Sequence, residues 1–472
     1  MEGEAESRGD ALSGSSREGD TPSTAPEGAS PVREEAFLTA LRKMVDVERG
    51  ELRALFMSFA YFFFVLSAWF VLRPIREAAA VAAGTTVLPW LFAGTLVVML
   101  VFNPLFSALV VRFPVRRFIG ITYHFFIVNL LAFYVLLRVV APVEGTDADR
   151  WIGRAFFVWT SVFNLFVVSV FWCFMADYFR SDQAKRLFGF IALGGTLGSI
   201  AGSATTAALA TRLGTPNLLL VSAVLLEIAV VLVFRFPLKA GSGAGGAADA
   251  AAATLPIGGK VWAGVTNVVR SPYLLGISGF LVLLTLGSTV LYFEQADIIG
   301  RFYADRAART TVLAQVELSV QSLTLVTQLF LTGRIIRWVG LGAALAFLPA
   351  VSMLGFAMLG VWPVFATVAL FVVLRRAGNF ALNNPAMEIL FTVVPREDKY
   401  KAKSFIETFV YRGGDQVGAW SFAGLSALGL GLTGIAFASV PMAAVWLVLG
   451  LWLGRRQAAL ARTMAQVGVP KP

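Results

Sequence analysis

The sequence predicts an all-α membrane protein of twelve transmembrane helices in two pseudo-symmetric six-helix halves. Three observations carry that expectation. Hydrophobic residues make up 57% of the chain, with 40 Phe, 11 Trp, only 14% charged residues and a mean hydropathy of +0.74, a composition suited to lipid as solvent. Twelve stretches reach the roughly 20 apolar residues needed to cross the hydrocarbon. One charged signature, Arg-x-Asp-x-x-Lys, occurs twice: as Arg180, Asp182 and Lys185, and as Arg396, Asp398 and Lys401, 216 residues apart in a chain of 472. Each copy follows a long apolar segment and precedes a Gly-containing one, so the pair marks equivalent loops of a duplicated unit.

Taken in order, residues 1–33 are rich in Gly, Ser, Glu and Pro and hold almost no large apolar side chain, which predicts a disordered cytoplasmic tail. Residues 34–53 place Phe37, Leu38, Leu41, Met44 and Val45 on one stripe of an otherwise charged helix, expected to lie on the membrane surface or against a cytoplasmic loop. The first long apolar run, from Ala54, is followed by no Ala-x-Ala-like site, so no cleaved signal peptide is expected. The spans fall near 54–72, 87–111, 118–141, 151–178, 187–211, 216–236, 273–294, 309–333, 339–358, 362–394, 404–430 and 434–453. A Gly- and Ala-rich stretch at 237–271 reads as the cytoplasmic linker between halves 54–236 and 272–454, with 455–472 as a second tail. Two parallel six-helix halves are the major facilitator architecture, which points to carrying solute.

Orientation follows from basic loops. Arg112, Arg116 and Arg117, then Arg180, Lys185 and Arg186, then Arg334 and Arg337, then Arg396, Lys399, Lys401 and Lys403, and finally Arg455 and Arg456 share one side, which places both termini in the cytoplasm. The net charge of +10, from 31 Arg and 8 Lys against 29 acids, sits largely beside the spans and suits a lipid surface, not nucleic acid. With one cysteine, Cys173, one histidine and no Cys/His cluster, no disulfide, metal, cofactor or catalytic constellation is expected, and the chain is read as a non-enzyme.

Ionisable residues inside spans are costly and mark function by default. Arg375 and Arg376 fall near the middle of the tenth span, followed by Asn379, Asn383 and the helix-kinking Pro385. Guanidinium groups suit phosphate or carboxylate. The structural alternative pairs them with Glu227, Glu317 or Glu388. In the eleventh span Glu407, Tyr411 and Asp415 recur every four residues, with Arg412 one step of three from Asp415. This face either lines the cavity or holds an internal Arg412–Asp415 pair.

Gly194, Gly195, Gly198 and Gly202 predict close helix packing, their nucleotide-loop look lacking strand context. Glu317, Gln321, Thr324 and Gln328 form one polar stripe, expected to hydrogen-bond between helices. Glu227 and His124, each alone in an apolar span, are candidates for proton coupling or for plain packing. Arg73 and Arg76 at the outer end of the first span, and Glu294 and Asp297 at that of the seventh, predict an outer gate of opposite charges. Local neutralisation by Glu77 is the alternative.

Phe171-Trp172, the Ala184-Lys185-Arg186 loop leading into Phe190 and Gly194, and Lys401-Ala402-Lys403-Ser404-Phe405-Ile406-Glu407 with Arg412 resemble the ATP/ADP translocase family of bacteria and plastids. Glu388, and Arg73 with Arg76-Glu77, also resemble family positions, loosely over residues 50–430. Three positions depart from it: Arg76 stands for a Lys, Thr160 or Asn164 for an acid of helix 4, and Asp415 for a Lys of helix 11. The resemblance implies a major facilitator-like fold, an anionic substrate such as ATP and ADP bound in part at Asn164, a transport role for Glu294, and a bacterial inner-membrane location that Arg- and Ala-rich usage also suits. A monomer is expected. Three functions stay open: an exchanger of nucleotides or phosphorylated metabolites, a proton-coupled permease or exporter for another organic anion or drug, and a membrane scaffold without transport.

Overall fold

The computed structural model describes residues 51–112, 115–179, 181–237, 268–394, 402–403 and 405–466. The expected tail at 1–33, the amphipathic segment up to residue 50, the linker over 238–267, and Arg180, Arg396, Asp398 and Lys401 lie outside them. Asp182 and Lys185 are placed as helix backbone alone.

Twelve long helices follow in order: α1 (Leu52–Ala83), α2 (Leu88–Arg112), α3 (Val115–Val135, prolonged by a π turn, Leu136–Val140), α4 (Asp147–Tyr178), α5 (Ser181–Leu213), α6 (Thr215–Phe234), α7 (Pro272–Phe302), α8 (Arg306–Phe330), α9 (Leu341–Val361), α10 (Phe365–Val393), α11 (Tyr411–Ala427, entered through a π turn, Ile406–Val410) and α12 (Leu432–Gln466). Among the described residues nine of them are long and apolar enough to cross a membrane. The others are α2, whose described apolar part is Leu88–Phe102, the polar-striped α8 and the short α11. The chain is a multi-pass membrane protein.

Local chemistry sets the helix starts. The side chains of Thr146, Ser271 and Asp305 accept the amides of Asp149, Leu274 and Ala308 at the heads of α4, α7 and α8, satisfying donors that a helix leaves open. Gly84 and Gly214, at φ of +79° and +78°, make the tight turns into α2 and α6.

Three helices outrun their expected ends. α1 continues to Ala83 where the apolar run suggested 72, α7 to Phe302 instead of 294, and α12 to Gln466 instead of 453. Hydropathy stops at the first charges, but the backbone ladder does not when protein, not lipid, receives those charges. Arg73, Arg76, Glu294 and Asp297 therefore lie within helices, not at their tips.

Within the first half α1 lies along α5. A Cβ at Gly194, Gly198 or Gly202 would strike the backbone carbonyl of Phe59, Phe63 or Ser67, so these glycines, four residues apart, let the two backbones touch. Ser67 Oγ donates to Gly198 O at 3.0 Å across the seam. The second half repeats the device between α7 and α11, where a Cβ at Gly414 or Gly418 would meet Thr285 or Thr289. This pairing of α1 with α5 and of α7 with α11 is the internal duplication seen in three dimensions. Gly198→Leu should lower stability in detergent by about 1–3 kcal/mol through overpacking. Gly189→Leu, where a Cβ meets nothing within 4 Å, should leave the melting temperature unchanged.

The halves meet at the end carrying the α1–α2 and α7–α8 turns, called here the first-turn end. Ala78, Leu88 and Leu91 share an apolar cluster with Leu291, Phe293 and Ile299. Trp90 and Trp420 meet edge to face, 5.0 Å between ring centroids. Arg306 joins the halves again: its guanidinium pairs with Asp149, and its amide donates to Glu144 Oε2 at 3.1 Å. The opposite end, where α1 begins and α12 finishes, is called the terminus end.

Candidate functional site

Two adjoining lobes lie between the halves, midway along the helices that wall them. One, of about 260 Å³, is walled by α1, α7, α8, α10 and α11, and holds Arg73, Glu77, Glu317, Arg375, Arg376 and Asn379. The other, of about 380 Å³, is walled by α1, α2, α4 and α11, and holds Arg76, Asn164, Arg412 and Asp415. Arg73 and Tyr411 line both. Together the linings carry five arginines against Glu77, Glu317 and Asp415, a cationic cavity inside a membrane protein.

Arg375 and Arg376 are adjacent in α10 and have different surroundings. Arg375 is 3% exposed. Its Nε donates to Ser352 Oγ at 3.0 Å, Nη1 to Ser288 Oγ at 2.8 Å and Nη2 to Leu284 O at 2.9 Å, and the guanidinium lies 5.8 Å from the centre of the Trp446 ring. Among the described residues no carboxylate is bonded to it. The three neutral acceptors fix the orientation of the guanidinium, and its full positive charge is left at the wall of the cavity.

Arg376 instead grips Glu317 with both terminal nitrogens, at 2.7 and 3.1 Å. The same carboxylate takes Arg73 Nη1 of α1 at 3.2 Å and Gln321 Nε2 at 2.8 Å. Glu317, midway along α8, thus ties its own half to the other, and Ser199 Oγ donates to Gln321 Oε1 at 3.3 Å just beside it. Immediately after the arginines α10 widens into a π turn over Asn379–Asn383, where Asn383 Nδ2 donates to Asn379 Oδ1 at 3.0 Å. A second π turn leads into Tyr411. Such turns re-aim side chains and frequent functional sites.

The structure gathers most sequence-chosen residues and separates others. Arg375, Arg376, Asn379, Tyr411, Arg412, Asp415 and Asn164 line the cavity, and Asn383 is buried behind Asn379. Arg412 stands 4.0 Å from Asp415, a loose pair. Of the acids weighed as partners, Glu317 takes Arg376, whereas Glu388 binds Lys403 at 2.7 Å.

The outer gate takes a different form from the expected one. Arg73 goes to Glu317, and Arg76 binds Glu77 at 2.8 Å and Ser161 at 3.2 Å with its guanidinium 3.9 Å over the Phe157 ring. Asp297 pairs with Arg301 at 2.6 Å. Glu294 is 1% exposed, with no hydrogen-bond partner for either carboxyl oxygen among the described residues. The physical reason is the extra length of α1 and α7, which carries the four charges inward. Local neutralisation by Glu77, the weighed alternative, is what Arg76 shows.

His124 and Glu227 also stand apart from the cavity. They meet each other at 3.3 Å on the outer faces of α3 and α6, each about half exposed. Ser288 and Ser352, which orient Arg375, were not singled out from the sequence, because a lone Ser in an apolar span most often bonds its own helix.

No family model matches the sequence, and no curated protein matches it. Solved structures do. An auto-inhibited POT family peptide transporter aligns at 16% identity over 87% of this chain and 97% of that one, with a TM-score of 0.55. A bacterial homologue of the human lysosomal transporter Spinster, inward-facing and unoccupied, aligns at 12% identity over 89% and 98%, with a TM-score of 0.51. A peptide transporter POT with a Glu-to-Gln substitution, in complex with alafosfalin, aligns at 12% identity over 86% and 95%, with a TM-score of 0.54. At these identities the likeness concerns the fold: this chain has the major facilitator fold, twelve helices in two six-helix halves.

Proposed function

We propose that the protein is a proton-coupled secondary transporter of a small organic anion, working by alternating access. The observation that carries this reading is the guanidinium of Arg375, oriented by neutral groups alone at the wall of a cavity with five arginines and three acids. A membrane interior holds such a charge at a cost, and a carboxylate or phosphate guest offsets it. The transporters among the similar structures, two of them of peptides, support the same class.

The basic loops at the terminus end put that end in the cytoplasm, and the contacts at the first-turn end then close the outside. An arriving anion competes with Glu317 for Arg376, which loosens the Arg73 link and lets the halves rock. The proton is assigned to Glu294. A buried carboxyl without a partner among the described residues is tolerated as the neutral acid, so Glu294 takes its proton while the outer end is open, is closed in with it, and gives it up toward the cytoplasmic side before the outer end reopens. The cavity gives His124 and Glu227 no part in this step.

The test is uptake of labelled carboxylates, phosphate esters and nucleotides into proteoliposomes under an imposed pH gradient. A pH gradient should drive uptake of at least one anion. Glu294→Gln should lower gradient-driven uptake about a hundredfold or more while leaving counterflow intact, and His124→Ala should change neither. Nucleotide exchange, which the translocase resemblance implies, predicts the opposite result: preloaded ADP accelerates ATP uptake and the pH gradient does nothing.

A further inference from the structure

On the outside of the first half, α3 and α6 enclose a groove of about 690 Å³, remote from the central cavity, with Arg116 and Arg117 at its mouth at the terminus end. We propose that it is a binding site for one anionic phospholipid, its phosphate on Arg117 and Arg116 and its chains along Ile121 and Phe234. Arg116 is already fixed in place, its Nη2 donating to Phe236 O at 2.9 Å and Pro237 O at 3.3 Å at the end of α6. Arg117 is exposed beside it. The walls below are apolar and open: Ile121 is 43% exposed and Phe234 54%.

Gly120 keeps the groove in this form, since a Cβ there would come within 2.9 Å of the Phe234 ring.

A second observation is the polar pair that starts at the groove wall, where His124 lines the groove and Glu227 stands beside it. His124 Nε2 and Glu227 Oε2 are 3.3 Å apart and about half exposed, on faces where Phe125, Val128, Val224 and Val231 are exposed too. That is a lipid-facing surface, and a polar pair bare to acyl chains is costly. Arg117 and His124 are two helical turns apart, about 10.5 Å along the axis. The headgroup layer of one leaflet is roughly 5–7 Å thick. With Arg117 at phosphate level the pair falls beneath the headgroup layer, closed on itself with His124 Nδ1 donating to Gly120 O at 2.8 Å and Nε2 facing Glu227, and a lipid seated in the groove covers it. Arginines over an apolar slot between membrane helices complement a phospholipid of net negative charge, whereas a zwitterionic head brings the same phosphate together with a quaternary ammonium that the arginines repel.

Native mass spectrometry of the full chain in detergent tests this, with phosphatidylglycerol and phosphatidylcholine added at equal concentration. One phosphatidylglycerol should be retained preferentially. Arg117→Gln should weaken that adduct about fivefold. Ile121→Trp, which fills the groove without altering charge, should remove it, and Arg337→Gln, an exposed arginine elsewhere on the same side, should leave it unchanged. Equal retention of the two lipids overturns the proposal. So does an equal loss in Arg337→Gln and Arg117→Gln, which would mean general surface charge and not a site.

Discussion

Arg375→Gln is expected to lower kcat/KM for the transported anion by about a hundredfold with little loss of stability. A charge-assisted hydrogen bond contributes about 1.5–3 kcal/mol, and the upper part of that range corresponds to two decades in rate. The glutamine amide can still donate to Ser288 or Ser352, so the hydroxyls around the site stay bonded and the fold persists. Arg375→Lys should recover only part of the activity. It restores the charge, but as a point donor, and cannot serve Ser352, Ser288 and Leu284 while facing a guest. Uptake rates and melting temperatures of the three proteins decide the matter. If Arg375→Gln transports at the normal rate, the arginine is a packing element and the anion site lies elsewhere. If it lowers the melting temperature as much as the rate, the role is structural.

Glu317→Gln should be among the most destabilising single changes in the molecule, by about 3 kcal/mol, because it removes a buried carboxylate and leaves two partly buried guanidinium groups facing one another. The damage is one of balance, so Arg376→Gln on the same background should return a large part of the loss. Arg73→Gln should cost less, since Arg376 still holds the carboxylate by two bonds, and it should release the halves from each other at mid-depth. Thermal unfolding in detergent of these three variants and of Arg376→Gln alone gives the coupling energy of Glu317 with Arg376. Cysteine-accessibility labelling near Trp90 and Trp420 would report whether the first-turn end opens when the Arg73 link is gone. Additive losses in the double variant would mean that the carboxylate and the arginines do not act as one unit.

The membrane class, the duplication and nearly all the span positions were legible in the chain, because lipid imposes the same demand on every span: about 20 apolar residues with no exposed backbone. The glycine row of α5 was equally readable, since spacing by four puts small residues on one face whatever the surroundings. Arg375 and Arg376 could be chosen as cavity residues from their depth alone. Their difference could not, because it depends on Ser288 and Ser352 of other helices for the first and on Glu317 for the second. Charge and spacing also suggested a gate from Arg73 and Arg76 to Glu294 and Asp297, yet helix length decided otherwise, since a charged side chain ends an apolar run without ending a helix. His124 and Glu227 looked alike buried from their neighbours in sequence, and only the packing of α3 beside α6 turned both outward to lipid. What the sequence determined by itself was local and periodic: hydropathy, helix faces, loop charge. What tertiary structure decided was which charge meets which across helices, because the pairs of Glu317 with Arg376 and Arg73 join residues 59 and 244 positions apart, and no periodicity within one helix encodes its partner in another.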